Sequence, residues 1–410
     1  MRIVDLFSGA GGLTFGFYFR IQNEAFIRNE SNTFVFANEY DKQASKTFKK
    51  NYPTINMINC DIKELTEERI RELVGGKAVD IVIGGPPCQS FSTVGQRRFD
   101  DKAKLYQEYF RILGIIRPKM FLFENVKGLL SMQEVFYKTD KDGNIIYEYS
   151  EIEGKTSLKP RKRPVVDHYG QKIFEIIKRQ FEQLGYTIQY EILNAVDYGV
   201  PEYRERVFII GTRNDTNLNW EFPKPTTTTE LSIKEAISDL PRVGEGKNIS
   251  KYNKEPSNSY QKLMRHGCEK ITQHYCGTYG DKIRTVIKNV KQGQGKDDFN
   301  MLVDSGIVDE KYRLTSGYAN TYGRLTAKKP STTITNNLST PSGLRCIHYS
   351  QNRALTPREG ARIQSFPDWF EFWGSKTEVT TQIGNAVPPL LSICLALQFE
   401  AVLKRGENNE

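Results

Sequence analysis

Residue 88 is a cysteine held behind two prolines in the run Gly84-Gly-Pro-Pro-Cys-Gln-Ser-Phe-Ser92. The run follows an apolar, β-type stretch, so it falls at the carboxyl end of a strand, where doubly wound sheets place their ligands. Proline fixes its own φ and restricts the residue before it, which presents the Cys88 thiol with little conformational freedom, as a nucleophile requires. An arbitrary intracellular cysteine is more often a small buried hydrophobe; the context of Cys88 argues against that reading. Upstream, Asp5-Leu-Phe-Ser-Gly-Ala-Gly-Gly12 follows the first apolar run and opens a helix. Glycines there let backbone amides approach a ligand without Cβ interference. Their spacing, Gly9, Gly11 and Gly12, differs from the G-x-G-x-x-G that seats a pyrophosphate, so a ligand without phosphates fits better. Glu39, ending the second strand candidate, is placed to accept two hydrogen bonds from ribose hydroxyls, and Asp61 ends the third where an adenine edge would lie. Taken singly, either is equally a surface carboxylate at a strand end.

These residues need a scaffold, and the pattern supplies one. Short apolar runs at 2–7, 33–38, 56–60, 79–84 and 120–124 alternate with helical stretches near 12–28, 41–51, 64–73 and 105–116, the signature of a parallel sheet wrapped by helices. Residues 133–166 break the pattern with turn and charged residues and read as a surface insertion, a hairpin rather than core. Ile173, Ile177, Phe181 and Leu184 then mark one face of a helix stopped at Gly185, followed by strands at 187–193 and 207–212. From 213 to 320 the texture turns polar and aperiodic, and the last 70 or so residues recover order, ending in an apolar helix at 388–403. The expected fold is α/β, a doubly wound, mostly parallel, Rossmann-like sheet formed by 1–212 plus 321–410, with 213–320 as a smaller irregular domain.

The chain has 410 residues, 38% hydrophobic and 26% charged, with a net charge of +9. That suits a globular protein of one larger and one smaller domain, and no apolar run approaches the ~18 residues of a membrane span. The start reads as a first strand rather than a signal peptide, so a cytoplasmic location is expected. Six scattered cysteines do not suggest a disulfide framework. Between 242 and 296 there are 12 Lys/Arg against 4 Asp/Glu, an excess of 8 that carries nearly all of the net charge and points to a polyanionic partner. His266, Cys268, His274 and Cys276 could be read as tetrahedral zinc ligation, but the spacing is not a common zinc signature and no metal is expected.

With those segments in view, the chain resembles the cytosine-C5 DNA methyltransferases of the bacterial restriction-modification type. Pro87-Cys88-Gln89 matches the family's nucleophile motif. Further matches are the loop from Phe7 to Gly12, Glu39, Asp61, Glu124-Asn-Val126, and Arg204-x-Arg206 inside Gly-Val-Pro-Glu-Tyr-Arg-Glu-Arg-Val. They continue through Arg324-Leu, Pro330 to Thr333, Leu355-Thr-Pro-Arg-Glu-Gly-Ala-Arg-Ile-Gln-Ser-Phe-Pro367 and Gln382-Ile-Gly-Asn-Ala-Val-Pro388, all in family order. Only 133–166 and roughly 213–320 lie outside. One departure stands out: Glu202 occupies a position where the family usually has Gln.

The resemblance implies S-adenosyl-L-methionine as cofactor, S-adenosyl-L-homocysteine as product, and double-stranded DNA as partner. It implies that a flipped cytosine receives the Cys88 thiolate at carbon 6, since carbon 5 is too electron-poor to attack a sulfonium methyl unaided. Glu124 would bond the base at N3, Asn125 would orient its loop, Arg206 would contact O2, and Arg204 would support the thiol or a backbone phosphate. Around the cofactor it implies Phe7 on the adenine face, Ile62 and Leu105 beside it, and the backbone near Asn385 and Val387; Leu13, Tyr40 and Pro86 complete the expected surroundings. Gln89, Ser92, Arg97 and Arg98, in a polar stretch at 90–104 suited to closing over DNA, are expected at the duplex, with Lys247, Lys251, Lys254, Lys288 and Lys291 on the recognition segment. A monomer away from membranes, at the bacterial nucleoid, with a separate cognate restriction endonuclease, completes the expectation. The related transfer RNA cytosine methyltransferases, which share this catalytic core, typically follow their cysteine motif with Pro-Phe-Thr, whereas this chain has Ser90-Phe-Ser92. A catalytically dead relative would lack Cys88 or Glu124, and a nicotinamide oxidoreductase would need the other glycine spacing.

Overall fold

A computed structural model describes residues 1–87, 105–150 and 161–407. Its centre is a seven-stranded sheet of β1 (Arg2–Leu6), β2 (Thr33–Asn38), β3 (Met57–Ile58), β4 (Ile81–Gly84), β5 (Met120–Val126), β6 (Tyr186–Asn194) and β7 (Glu205–Arg213), in the spatial order β6-β7-β5-β4-β1-β2-β3. Pairs from β3 through β5 are parallel, while β7 runs antiparallel to both β5 and β6. Strand order reverses at β1, and the carboxyl ends of β1, β2 and β4 therefore open on one crevice.

Alternation along the strands sorts side chains onto two faces. Val4, Leu6, Val82, Phe121 and Phe123 join one core with Ile70 of α3 (Glu67–Val74), Tyr109 and Leu113 of α4 (Tyr106–Ile116) and Phe181 of α5 (Ile173–Gln183). Ile3, Ile81, Ile83, Met120 and Leu122 join the other with Leu13 and Phe17 of α1 (Gly12–Tyr18) and Leu391, Leu395 and Phe399 of the last helix, Pro389–Glu407, while α2 (Lys42–Asn51) follows β2. Burial of each such side chain contributes roughly 1.5–3 kcal/mol. The last helix lies on α1 closely enough that a Cβ on Gly16 would meet the Ser392 carbonyl carbon at 2.1 Å.

Three expectations need correcting. The helix expected near 12–28 ends at Tyr18, and the chain turns into an antiparallel hairpin of Phe19–Gln22 with Ala25–Arg28. Asn23 and Glu24 adopt φ +52° and +56°, the left-handed pair that a two-residue hairpin turn requires. The strand expected at 56–60 pairs only over Met57–Ile58. The excursion after β5 runs on past 166, with Gln133–Tyr137 pairing Val166–Lys172 and Tyr147–Ser150 pairing Arg161–Pro164.

Residues 213–320 contain short helices that aperiodic composition hid: Ile233–Ile237, Ser259–Arg265, Asp281–Asn289 and Lys296–Asp304. They do not share one core. Trp220 packs against Phe399 of the last helix, with ring centroids 4.4 Å apart and the planes tilted by 42°. Ile233, Ile237, Tyr260 and Met264 pack with Ile363, Phe366 and Phe370, while Val286, Val290, Phe299 and Val303 form a small core of their own. Among the described residues no single helix is long and apolar enough to cross a membrane.

Candidate active site

The turn after β1 is shaped by backbone that side chains rarely tolerate. Phe7 has φ +57°, an outlier for a bulky residue, with Gly9 at +56° and Gly11 at +91°. A Cβ on Gly11 would strike the Tyr52 ring at 2.3 Å, and the Tyr52 hydroxyl donates to the Gly11 carbonyl at 2.6 Å. A Cβ on Gly12 would meet the Val387 carbonyl oxygen at 2.4 Å. Gly12 therefore admits the C-terminal segment against the loop, which brings Val387 beside Leu13 in one core, while Asn385 stays exposed at the surface. Around Gly9 nothing lies within 4 Å of where a Cβ would stand, so the loop faces open space there.

Glu39 sits across that space. Its two oxygens accept the Gly9 amide at 2.8 Å and the Asp41 amide at 2.7 Å, fixing the carboxylate while leaving further lone pairs on each oxygen. Burial raises its pKa, and the two amides pull the other way. Asp61 caps the short turn Ile62–Glu64 by accepting the Lys63 amide at 3.0 Å. Ile62 is buried, Leu105 is half-buried at the start of α4, and Tyr40 is 75% exposed. Sequence reasoning missed Asp5 as a support. It is buried beneath the loop and accepts the Thr14 hydroxyl, while Oδ1 has no partner and burial lifts its pKa to about 7.

The second half of the site lies where β5 meets β7. Glu124 Oε1 stands 3.2 Å from Arg206 Nε, with side-chain exposures of 13% and 15%. Burial raises the Glu124 pKa, against the opposing fields of Arg206 and Arg204. A Cβ on Gly85 would meet Glu124 Oε2 at 2.7 Å, so the Gly-Gly-Pro-Pro turn begins against this acid. Asn125 is buried, with its Nδ2 3.4 Å from the Pro86 carbonyl, and its oxygen accepts the Val126 amide at 2.9 Å. Cys88, Gln89, Ser92, Arg97 and Arg98 lie outside the described residues, as does the whole stretch 90–104.

Arg204 is placed differently from its expected role. It has no exposed surface and donates to the Ile334 carbonyl at 3.1 Å and the Gly384 carbonyl at 2.7 Å. A side chain so enclosed does not reach a DNA phosphate, and the phosphate reading of Arg204 is withdrawn. Glu202, equally buried, accepts the Ile334 amide at 2.6 Å and stands 3.5 Å from Arg204 Nη1. His274 Nε2 donates to the Pro241 carbonyl at 2.8 Å and its Nδ1 lies 2.9 Å from Thr356 Oγ1, so its ring serves the local packing. Lys247, Lys251, Lys254, Lys288 and Lys291 are all exposed.

A glycine turn closed by a C-terminal segment, an acid at the end of the neighbouring strand and a Glu–Arg pair between β5 and β7 sit on a doubly wound, Rossmann-like α/β fold of the methyltransferase kind. The chain belongs to the C-5 cytosine-specific DNA methylase family, whose model matches residues 1–147 and 163–399. It is 33% identical to the Type II methyltransferase M.DdeI of Desulfomicrobium norvegicum, over 97% of this chain and 88% of that one, and 31% identical to M1.HphI of Haemophilus parahaemolyticus, over 100% and 88%. Its fold matches a protein described as a DNA modification methyltransferase encoded within an E. coli prophage, with a TM-score of 0.69 at 22% identity over 98% of this chain and 99% of that one. The enzyme is thus a DNA (cytosine-5) methyltransferase, and the family implies use of S-adenosylmethionine.

Proposed function

We propose that this enzyme modifies cytosine at a short specific site in duplex DNA as the modification half of a restriction-modification system. It would act as a monomer in the bacterial cytoplasm, at the nucleoid, with a cognate restriction endonuclease as a separate protein. The observation that carries the catalytic part is the Glu124–Arg206 pair, held at the mouth of the Gly-Gly-Pro-Pro turn.

In this reading the Cys88 thiolate adds to carbon 6 of a flipped cytosine, forming a carbon–sulfur bond and pushing the ring electrons toward N3 and carbon 5. Glu124, with a carboxyl whose pKa burial has raised, is suited to present a proton to N3, and Arg206 is suited to hold O2. Asn125 keeps the turn in place through Pro86. When bound in that cradle the cofactor would supply an electrophilic methyl on a sulfonium, leaving S-adenosylhomocysteine as product. A base then removes the carbon 5 proton and the thiolate leaves, restoring the aromatic ring.

The cofactor fits the residues present. The open side of Gly9, the fixed Glu39 carboxylate with spare lone pairs, and the Val387 seam against Gly12 form a cradle without phosphate-binding features. Phe7, Gly9, Gly11, Gly12, Leu13, Glu39, Tyr40, Asp61, Ile62, Pro86, Leu105, Asn385 and Val387 would hold it. Residues 213–320 are proposed as the target-recognition segment, even though its helices pack into different cores. DNA carrying 5-fluorocytosine at the target cannot lose its carbon 5 substituent as a proton. A covalent complex mapped by mass spectrometry to Cys88 is expected, and its absence with a cofactor-competent enzyme would sink the mechanism.

A further inference from the structure

Glu202 and Arg204 are both fully buried, yet each keeps an atom without a partner: Glu202 Oε2 and Arg204 Nε. Buried polar atoms left so are rare and call for an explanation. Glu202 and Tyr203 pair in parallel with Ser331 and Thr332, and the Tyr203 carbonyl accepts the Thr333 hydroxyl at 2.8 Å. Glu202 Oε1 then takes the Ile334 amide, and Arg204 takes the Ile334 and Gly384 carbonyls. Gly384 is pressed on the same segment, since a Cβ there would meet the Asn336 nitrogen at 2.4 Å. Three residues beyond Gly384, Val387 closes on Gly12 of the glycine turn. Two residues beyond Arg204, Arg206 faces Glu124.

We propose that Glu202 is a positioning residue: paired with Arg204, its carboxylate sets the strut that registers the cofactor side of the site, through Ile334 and Gly384, with the base side, through Arg206. The inference rests on the functional reading above in taking Val387 and Gly12 as the cofactor seat. The groups facing Glu202 are Arg204 and Arg206 from its own stretch, the Ile334 amide from the segment packed on it, and Tyr260, whose hydroxyl feels the Glu202 charge; Glu124 acts through the two arginines. Burial lifts the carboxyl to about 6, against the pull of Arg204, the Ile334 amide and Arg206, so its charge is lost within an accessible pH range. A neutral side chain there still accepts from Ile334 but no longer balances Arg204.

The test is calorimetric binding of S-adenosylmethionine to the full chain, which needs no DNA and no turnover, across pH 5–8. Glu202→Gln keeps the shape and removes the charge. At pH 7.5 it should weaken cofactor binding roughly three- to tenfold, the worth of one hydrogen bond, and raise KM for the cofactor by more than it lowers kcat. The pH profile of the wild type should show a step near 6 that the variant lacks; the difference between the profiles removes the contributions of Asp5 and Glu39. In the wild type, carbon-13 NMR of the glutamate carboxyls should show Glu202 titrating at lower pH with S-adenosylhomocysteine bound than without, as linkage demands. Equal affinities and superimposable profiles, or a changed melting temperature with unchanged affinity, would overturn the proposal, as would a Glu202 titration indifferent to the ligand. A wild type that binds no cofactor at all would instead overturn the functional reading beneath it.

Discussion

Two Glu–Arg pairs have their arginines two residues apart at the start of β7, and they differ in access to water. Glu124 and Arg206 sit 3.2 Å apart with about a seventh of each side chain exposed, whereas Glu202 and Arg204 sit 3.5 Å apart with none. An ion pair that can be reached can trade its partner for a substrate atom when the base arrives. An enclosed pair cannot, because no substrate atom or water reaches either side chain to replace its partner. The accessible pair therefore belongs to chemistry and the enclosed pair to the frame, although the sequence presents both arginines as members of one motif.

Breaking the accessible pair should have the largest effect. Glu124→Gln removes the ionisable donor to N3 while keeping the shape, and kcat for methyl transfer should fall about 10²- to 10³-fold. Cofactor affinity should stay within error of the wild type by calorimetry. Glu39→Ala separates the other way: the two charge-assisted contacts proposed to the ribose would be lost, which should weaken cofactor binding roughly 10- to 100-fold. If both variants lost cofactor affinity equally, the division of the site into a base side and a cofactor side would be wrong.

The enclosed pair should answer in stability. Arg204→Met leaves the Ile334 and Gly384 carbonyls without their donor, a loss of about 2–5 kcal/mol in denaturant unfolding. Glu202→Gln should not share that loss. The Glu202 carboxyl titrates near 6 in the fold against 4.5 ordinarily. Between those values the folded state holds more of the proton than the unfolded chain does. This group's contribution to stability therefore falls as pH rises from about 4.5 to 6 and is level above. By that sign Glu202→Gln should be as stable as the wild type or more so at pH 7.5. A marked destabilisation there would mean that the attraction to Arg204 outweighs burial.

The same contrast explains what the sequence made legible. Strands β1, β2, β4 and β5 read clearly because they are apolar runs, largely buried. Glu39 and Asp61 were expected from their places at strand ends, whereas Glu124 and Arg206 came only with the resemblance. The buried role of Arg204 was not legible, because a motif gives residue types but not which side of the strand faces water. The support from Tyr52 under Gly11 and from Asp5 depended on tertiary contact. The helix Ile233–Ile237 did leave a local sign, Ser232 and Glu235 forming a capping box, but five residues are too few to show a period. The hairpin at Asn23 and Glu24 went unread because neither residue is a glycine, the usual mark of a left-handed turn.

The smallest effects belong to the exposed lysines of 213–320, and they test whether accessible charge always means chemistry. Lys247, Lys251, Lys254, Lys288 and Lys291 are exposed, and Lys254 has only a long contact, 3.4 Å, to the Ser238 carbonyl. A lysine at a phosphate neutralises charge and releases counterions without reading a base. Changing them singly to Gln should therefore weaken binding to every DNA sequence alike. Each lost phosphate contact should flatten the slope of log affinity against log salt by about 0.9. The methylated sequence and kcat at saturating DNA should not change, because base edges are read by other side chains. Exchange of the whole 213–320 segment with that of M.DdeI should do the opposite, moving the methylated site while chemistry at Cys88 continues. Active hybrids that kept the original site would place specificity in the catalytic half. A single lysine variant that altered the site without altering the salt slope would place that lysine at a base edge.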